Sequence, residues 1–136
     1  MNMNRQNDTA AITKVLADQY AAWANGDADA FVIDYAEGAT VIMPGTYRRN
    51  REEIRAGMAD SFASYLAGST VRDEVQDIRF LDADNAIAIS RAGVLFAGEI
   101  EVPTGRFINA TWVLRRQNER WLVEAYHNSP VAAGSL

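Results

Sequence analysis

The hydrophobic pattern of this chain changes period once, near Thr70, and that change constrains the possible folds more than any other feature. Before it, apolar residues recur every three to four positions, as on the buried face of a helix. After it they alternate, as in strands with one face in a core.

Asp8 or Thr9 is placed to cap a first helix, with Ile12, Val15, Leu16, Gln19, Tyr20 and Trp23 on one face and Asn25-Gly26 closing it. Asp27 caps a second helix carrying Phe31, Val32 and Tyr35, which Glu37-Gly38 ends. Residues 39–43 read as a strand stopped by Pro44-Gly45. Asn50 and Glu53 form a capping-box pattern for a third helix with Ile54, Met58, Phe62 and Tyr65 on its apolar face and Gly68 as its stop. Beyond Thr70, strands are expected to about Leu81, from Ala86 to Ala97, from Arg106 to Gln117 and from Arg120 to Asn128, the last two joined at Asn118-Glu119. Helices first and sheet last make an α+β fold, three N-terminal helices on a curved, mainly antiparallel sheet. Such a bent sheet forms a cone whose open end is a natural apolar pocket. With 136 residues a single domain over 1–136 is expected, loose only at about 1–7 and 131–136.

Cysteine is absent, which removes disulfides, thiol nucleophiles and thiolate metal sites, and His127 is the one imidazole. A net charge of -5 opposes general nucleic-acid binding, which draws on phosphate neutralisation. No apolar run is long enough to span a membrane, and the start is polar, so a cytoplasmic protein is expected. No H-x-x-x-H pair, EF-hand loop, P-loop, G-x-S-x-G elbow or dinucleotide G-x-G-x-x-G occurs. Neither a metal nor a cofactor is expected.

The order helix, Trp23-Ala24-Asn25-Gly26-Asp27, short helix, Ala39-Thr40-Val41 with Pro44-Gly45, then a helix from about Arg51, resembles the nuclear-transport-factor-2-like (SnoaL-like) superfamily. The closing segments Thr111-Trp112-Val113-Leu114-Arg115, Trp121-Leu122-Val123 and Ala125-Tyr126-His127-Asn128-Ser129 look like its SgcJ/EcaC subgroup, associated with enediyne polyketide biosynthesis. The resemblance implies a cone-shaped α+β barrel with an internal ligand cavity, commonly homodimeric through the outer face of the sheet. It implies no one reaction, since isomerases, cyclases, dehydratases and non-catalytic binding modules share the fold. The carboxylate base that ketosteroid isomerases of this superfamily carry before the proline is replaced here by Met43. The positions of their helix tyrosine and later-strand acid fall near Gln19 and Thr111.

His127 is therefore the candidate for proton transfer, against the plainer reading of a histidine satisfied at a strand end. Regular alternation groups it with Trp121, Val123 and Ala125, opposite Leu122, Glu124, Tyr126 and Asn128, unless a bulge intervenes. On the preceding strand Ile108, Ala110, Trp112 and Leu114 form a core face, while Phe107, Asn109, Thr111 and Val113 suit a dimer face or a pocket wall. Arg91 either pairs with Asp73, Glu74 or Glu124 or anchors an anionic or carbonyl group of a ligand. Tyr20, Met43, Phe62, Trp112 and Asn128 are the further candidate ligand contacts, with Tyr47 at the rim, and the cluster Arg48, Arg49, Arg51 and Arg55 reads as solvated surface. The expectation is an accessory protein that binds an apolar polyene or polycyclic intermediate and assists its cyclisation or isomerisation, or else a non-catalytic binding or adaptor module.

Overall fold

The structure, a computed structural model, describes residues 3–131. Its elements are α1 (Met3–Ala24), α2 (Ala28–Phe31), β1 (Tyr35–Met43), β2 (Thr46–Arg48), α3 (Arg51–Phe62), β3 (Thr70–Phe80), β4 (Asn85–Leu95), a single 3-10 turn (Thr104–Arg106), β5 (Ile108–Gln117) and β6 (Arg120–Pro130). The period change near Thr70 is thus the boundary between the helices and the long strands.

Both ends that the sequence reads as loose contain residues held by the fold. Residues 3–7 belong to α1, and Asp8 lies inside that helix instead of capping it. Its Oδ1 accepts from Arg116 Nη1 and from Trp121 Nε1, each at 3.2 Å, which ties α1 to β5 and β6. At the other end the Val131 N–H donates to Phe107 O at 3.0 Å. The remainder of those ends, residues 1–2 and 132–136, lies outside the described residues.

Asp27 caps α2 through a 3.0 Å bond from the Ala30 N–H, but this helix lasts one turn. The Asp34 carbonyl accepts from the Val123 N–H at 2.8 Å and Tyr35 pairs with Val123, so the sheet captures Tyr35 as the first residue of β1. Its ring still stacks on Phe31, at 5.7 Å, the neighbour that helical spacing would have given it. In α3 the Asn50 Oδ1 accepts from the Glu53 N–H at 2.8 Å, while the Glu53 carboxylate turns to the Arg49 N–H, also at 2.8 Å.

The strands form one sheet in the order β2-β1-β6-β5-β4-β3, with β1 and β6 parallel and every other pair antiparallel. Register slips between Tyr35 and Thr40 in β1, between Val75 and Asp77 in β3, and at Glu124 in β6. Extra residues on one strand of a pair bend it and increase its twist, so three slips curl the sheet around the helices. The enclosed core joins Ile12 and Leu16 of α1 and Ile54 of α3 to Trp112, Leu114 and Val123. Each such buried side chain contributes roughly 1.5–3 kcal/mol of hydrophobic stabilisation.

Asn118 and Glu119 turn β5 into β6 with φ of 51° and 64°. Two positive φ values in a two-residue hairpin describe the turn that favours Asn-Gly, and a glutamate there carries left-handed strain. Glu119→Gly is expected to raise the unfolding free energy by about 0.5–1 kcal/mol, after allowing for glycine's greater unfolded entropy. Urea unfolding measures it.

Candidate functional site

Between the inner face of the sheet and the helices lies a cavity of about 310 Å³. Its wall is largely apolar, with Met43, Ile54, Met58, Val94, Ile108 and Trp112 among the lining side chains. Polar groups among its lining residues include Tyr20, Tyr35, Tyr126, Asn128, Arg48 and Arg106, with Tyr65 exposed at its edge.

Which residues of β6 face this cavity is decided by one slip in register. Leu114 opposes Val123 and Val113 opposes Ala125, leaving Glu124 with no opposite residue on β5. Side-chain parity inverts across that extra residue. Trp121 and Val123 point inward before it; after it Tyr126 and Asn128 do. His127 points outward and is exposed, in register with Thr111 of β5 and Ile42 of β1. The single imidazole therefore does not line the cavity, contrary to the uninterrupted alternation expected for this strand.

Tyr20, Met43, Trp112 and Asn128 line the cavity, and the other candidates lie elsewhere. Phe62 is buried behind the wall, edge-on to Trp23 at 5.7 Å and to Phe31 at 6.3 Å. Tyr47 belongs to β2 rather than to a loop and faces outward opposite Ile42, 63% exposed. Arg91 is also exposed on the outer face, its guanidinium 4.9 Å over the Phe107 ring. It forms no ion pair with Asp73, Glu74 or Glu124; Glu124 pairs with Arg115 at 3.6 Å. Inward parity on β4 belongs to Ser90, Ala92 and Val94. On β5 it belongs to Ile108, Ala110, Trp112 and Leu114, which leaves Asn109 and Thr111 outside.

Asn128 Nδ2 donates to Tyr126 Oη at 2.8 Å. Burial pushes the Tyr126 phenol up to about 12, with the Asn128 bond opposing and Asp73 adding to the rise. The phenol is neutral at ordinary pH, one lone pair is engaged, and its proton is available to an acceptor in the cavity. Tyr35 Oη donates to Gln19 Oε1 at 2.7 Å, and burial holds both Tyr20 and Tyr35 well above the usual phenol value. Gln19 Nε2 is buried with no hydrogen-bond partner.

Asp73 enters the sequence reading only as a partner for Arg91. On the folded chain it sits on the inner face of β3, opposite Ala92, with Oδ1 buried and without a hydrogen-bond partner. Burial raises its pKa above the ordinary 3.8, against an opposing contribution from the Ser90 hydroxyl. Its charge raises the pKa of both Tyr20 and Tyr126, which places it within electrostatic reach of two cavity phenols. Alternation carried the signal: Val71, Asp73 and Val75 share one face, and an acid at the middle position has to point inward.

Among the described residues no group of three or more histidines, aspartates or glutamates is placed to hold a metal ion. Nor is any described helix long and apolar enough to cross a membrane.

A sequence model of the SnoaL-like domain matches residues 12–133. The chain belongs to the SnoaL-like family. Solved structures share the SnoaL-like cone, among them a domain of unknown function with a cystatin-like fold from Nostoc punctiforme. It is 25% identical with a TM-score of 0.87, over 94% of this chain and 80% of that one. A putative scytalone dehydratase from Novosphingobium aromaticivorans is 12% identical with a TM-score of 0.79, over 97% and 89%. The hexachlorocyclohexane dehydrochlorinase LinA-type3 from Novosphingobium barchaimii is 13% identical with a TM-score of 0.80, over 97% and 92%. At these identities the two named enzymes show the shared fold alone. No curated protein matches this SnoaL-like chain in sequence.

The raised pKa of Asp73 has a consequence for stability. A carboxyl that binds its proton more tightly when folded favours the native state below the ordinary carboxylate pKa, and this contribution is lost as pH rises through the raised value. Asp73→Asn is therefore expected to gain in Tm over the unsubstituted protein as pH rises from the ordinary carboxylate value through the raised one. Thermal unfolding across that range checks it, and a constant difference would contradict the burial of the carboxyl.

Proposed function

We propose that the protein binds a compact, largely apolar small molecule bearing a hydrogen-bond acceptor, its body in the cone and its acceptor on Tyr126. The observation that carries this reading is the slip at Glu124, which turns a phenol donor and its supporting amide into a largely apolar cavity. A volume of about 310 Å³ lies at the small end of ligand pockets, which run from about 300 to 1,000 Å³, and suits a ring system or a folded part of a longer chain. The resemblance of the closing strands to the SgcJ/EcaC subgroup favours an intermediate of enediyne-type polyketide biosynthesis as the biological ligand, in a cytoplasmic homodimer. An iterative polyketide synthase gene beside this one would support that assignment, and a neighbourhood without biosynthetic genes would count against it.

A second reading, proton transfer that isomerises or cyclises the bound molecule, is favoured by Asp73. Its carboxyl, with Oδ1 unpartnered, lies within electrostatic reach of Tyr20 and Tyr126, a base and two neutral donors of the kind an enolising step uses. The names of the dehydratase and the dehydrochlorinase among the similar structures fit such a step without assigning it here.

Binding of 1-tetralone and of tetralin, which differ by one carbonyl, tests the first reading by calorimetry. The ketone is expected to bind more tightly, and Tyr126→Phe to weaken it by about 5- to 10-fold, the equivalent of one hydrogen bond of about 1–1.4 kcal/mol, while leaving tetralin unchanged. Absence of binding by either compound would sink the ligand-binding reading.

A further inference from the structure

Two arginines line the cavity, and their circumstances differ. Arg106 is neutralised: Nη1 and Nη2 donate to the two Glu99 carboxylate oxygens at 2.5 and 3.0 Å, Nη1 also donates to Val94 O at 3.1 Å, and the guanidinium lies 4.6 Å over the Phe96 ring. Arg48 forms no ion pair among the described residues. Its one hydrogen bond runs from Nη1 to the Met58 sulfur at 3.3 Å, a weak acceptor for a group with five N–H donors. Arg49 and Arg55, its neighbours in sequence, are paired with Glu53 and Glu52 on the surface.

The position of Arg48 is built into the fold rather than left to solvent. It stands opposite Val41 on the inner side of β2, and its charge acts on the Tyr35 phenol. Its guanidinium lies across Gly57 of α3, where a Cβ would come within 2.5 Å of Cζ, 2.6 Å of Nε and 2.8 Å of Nη2. Glycine is disfavoured inside a helix, and here its missing side chain is the space the guanidinium occupies. A partly buried, seated and uncompensated guanidinium beside an apolar cavity has a chemical complement: a carboxylate, whose two oxygens match its planar fork.

We infer that Arg48 is an anion-reading group and that the molecule bound in this cavity is an apolar carboxylate. This rests on the ligand-binding reading above and adds the charge of the ligand to it. The net charge of -5 opposes anion entry from a distance, but that repulsion is screened over about 8 Å at physiological salt, whereas a contact in the cavity is not.

The test compares 2-naphthoate with its methyl ester, equal in ring and differing in charge, by calorimetry near 0.15 M salt. The carboxylate is expected to bind the unsubstituted protein at least about 10-fold more tightly than the ester, a preference within reach of one desolvated charge-assisted pair. Arg48→Met keeps the stem and is expected to abolish the preference while leaving the ester within about 2-fold. Gly57→Ala, which displaces the guanidinium without removing it, is expected to weaken the carboxylate selectively. Equal binding of acid and ester by the unsubstituted protein would overturn the inference. So would a preference that survives Arg48→Met, with retained ester binding reporting that the variant is folded. If Arg48→Met does not fold, Gly57→Ala decides by the same criterion. Failure of both compounds to bind would instead remove the ligand-binding reading on which the inference rests.

Discussion

Pairing between β5 and β6 slips by one residue at Glu124, and the character of the cavity depends on that slip. A strand with regular alternation would direct Ala125 and His127 inward, giving the cone an imidazole and little else from its last strand. With one extra residue the inward positions pass to Tyr126 and Asn128, joined by a 2.8 Å hydrogen bond. The Glu124 side chain is meanwhile turned to Arg115, so the irregular residue is held by a charge pair instead of being left as a loose kink. An inward position on a curved sheet is a scarce resource, and this one decides whether the last strand offers the cavity an imidazole or a phenol and an amide.

The remaining polar groups follow from the same low-dielectric surroundings. Burial keeps three phenols protonated, so they act as fixed dipoles rather than charges. Among the described residues two buried side-chain atoms, Gln19 Nε2 and Asp73 Oδ1, have no partner, although such atoms are nearly always satisfied in folded proteins. Gln19 is bonded to Tyr35, and Asp73 acts on Tyr20 and Tyr126, so the unmet hydrogen-bonding capacity is concentrated around the buried tyrosines Tyr20, Tyr35 and Tyr126. That concentration singles out the cavity as the candidate site, because unpaired groups scattered through a core would only weaken it.

How far the sequence reveals this protein depends on whether local pattern or long-range pairing decides. The α+β order, the capping of α3 by Asn50 and the turn at Asn118-Glu119 follow from local chemistry and were legible. Tyr35 is ambiguous in sequence because helical spacing from Phe31 and strand pairing with Val123 both account for it, and the second is visible only across the fold. The outward turn of His127 is hidden because a bulge leaves no mark in one strand read by itself. Arg48 reads as one of a solvated cluster because β2, three residues long, is too short to show its own alternation. Asp73 needed no new information, only the inference that an acid between Val71 and Val75 must point inward.

The order of the sheet leaves β2 and β3 at its margins, and they are unequal. β2 offers three residues, too few to template another chain, but β3 runs for eleven with a strand on one side only among the described residues. Long open margins of this kind invite strand addition and aggregation. Along β3 four of the six exposed positions carry charge, Arg72, Glu74, Asp77 and Arg79, and the bulge at Gln76 interrupts the straight run a foreign strand would need. Continuation of the sheet from copy to copy is thereby discouraged at the one margin long enough to support it. The curved sheet is a finite object, and the charges on its border protect it from fibrillar growth.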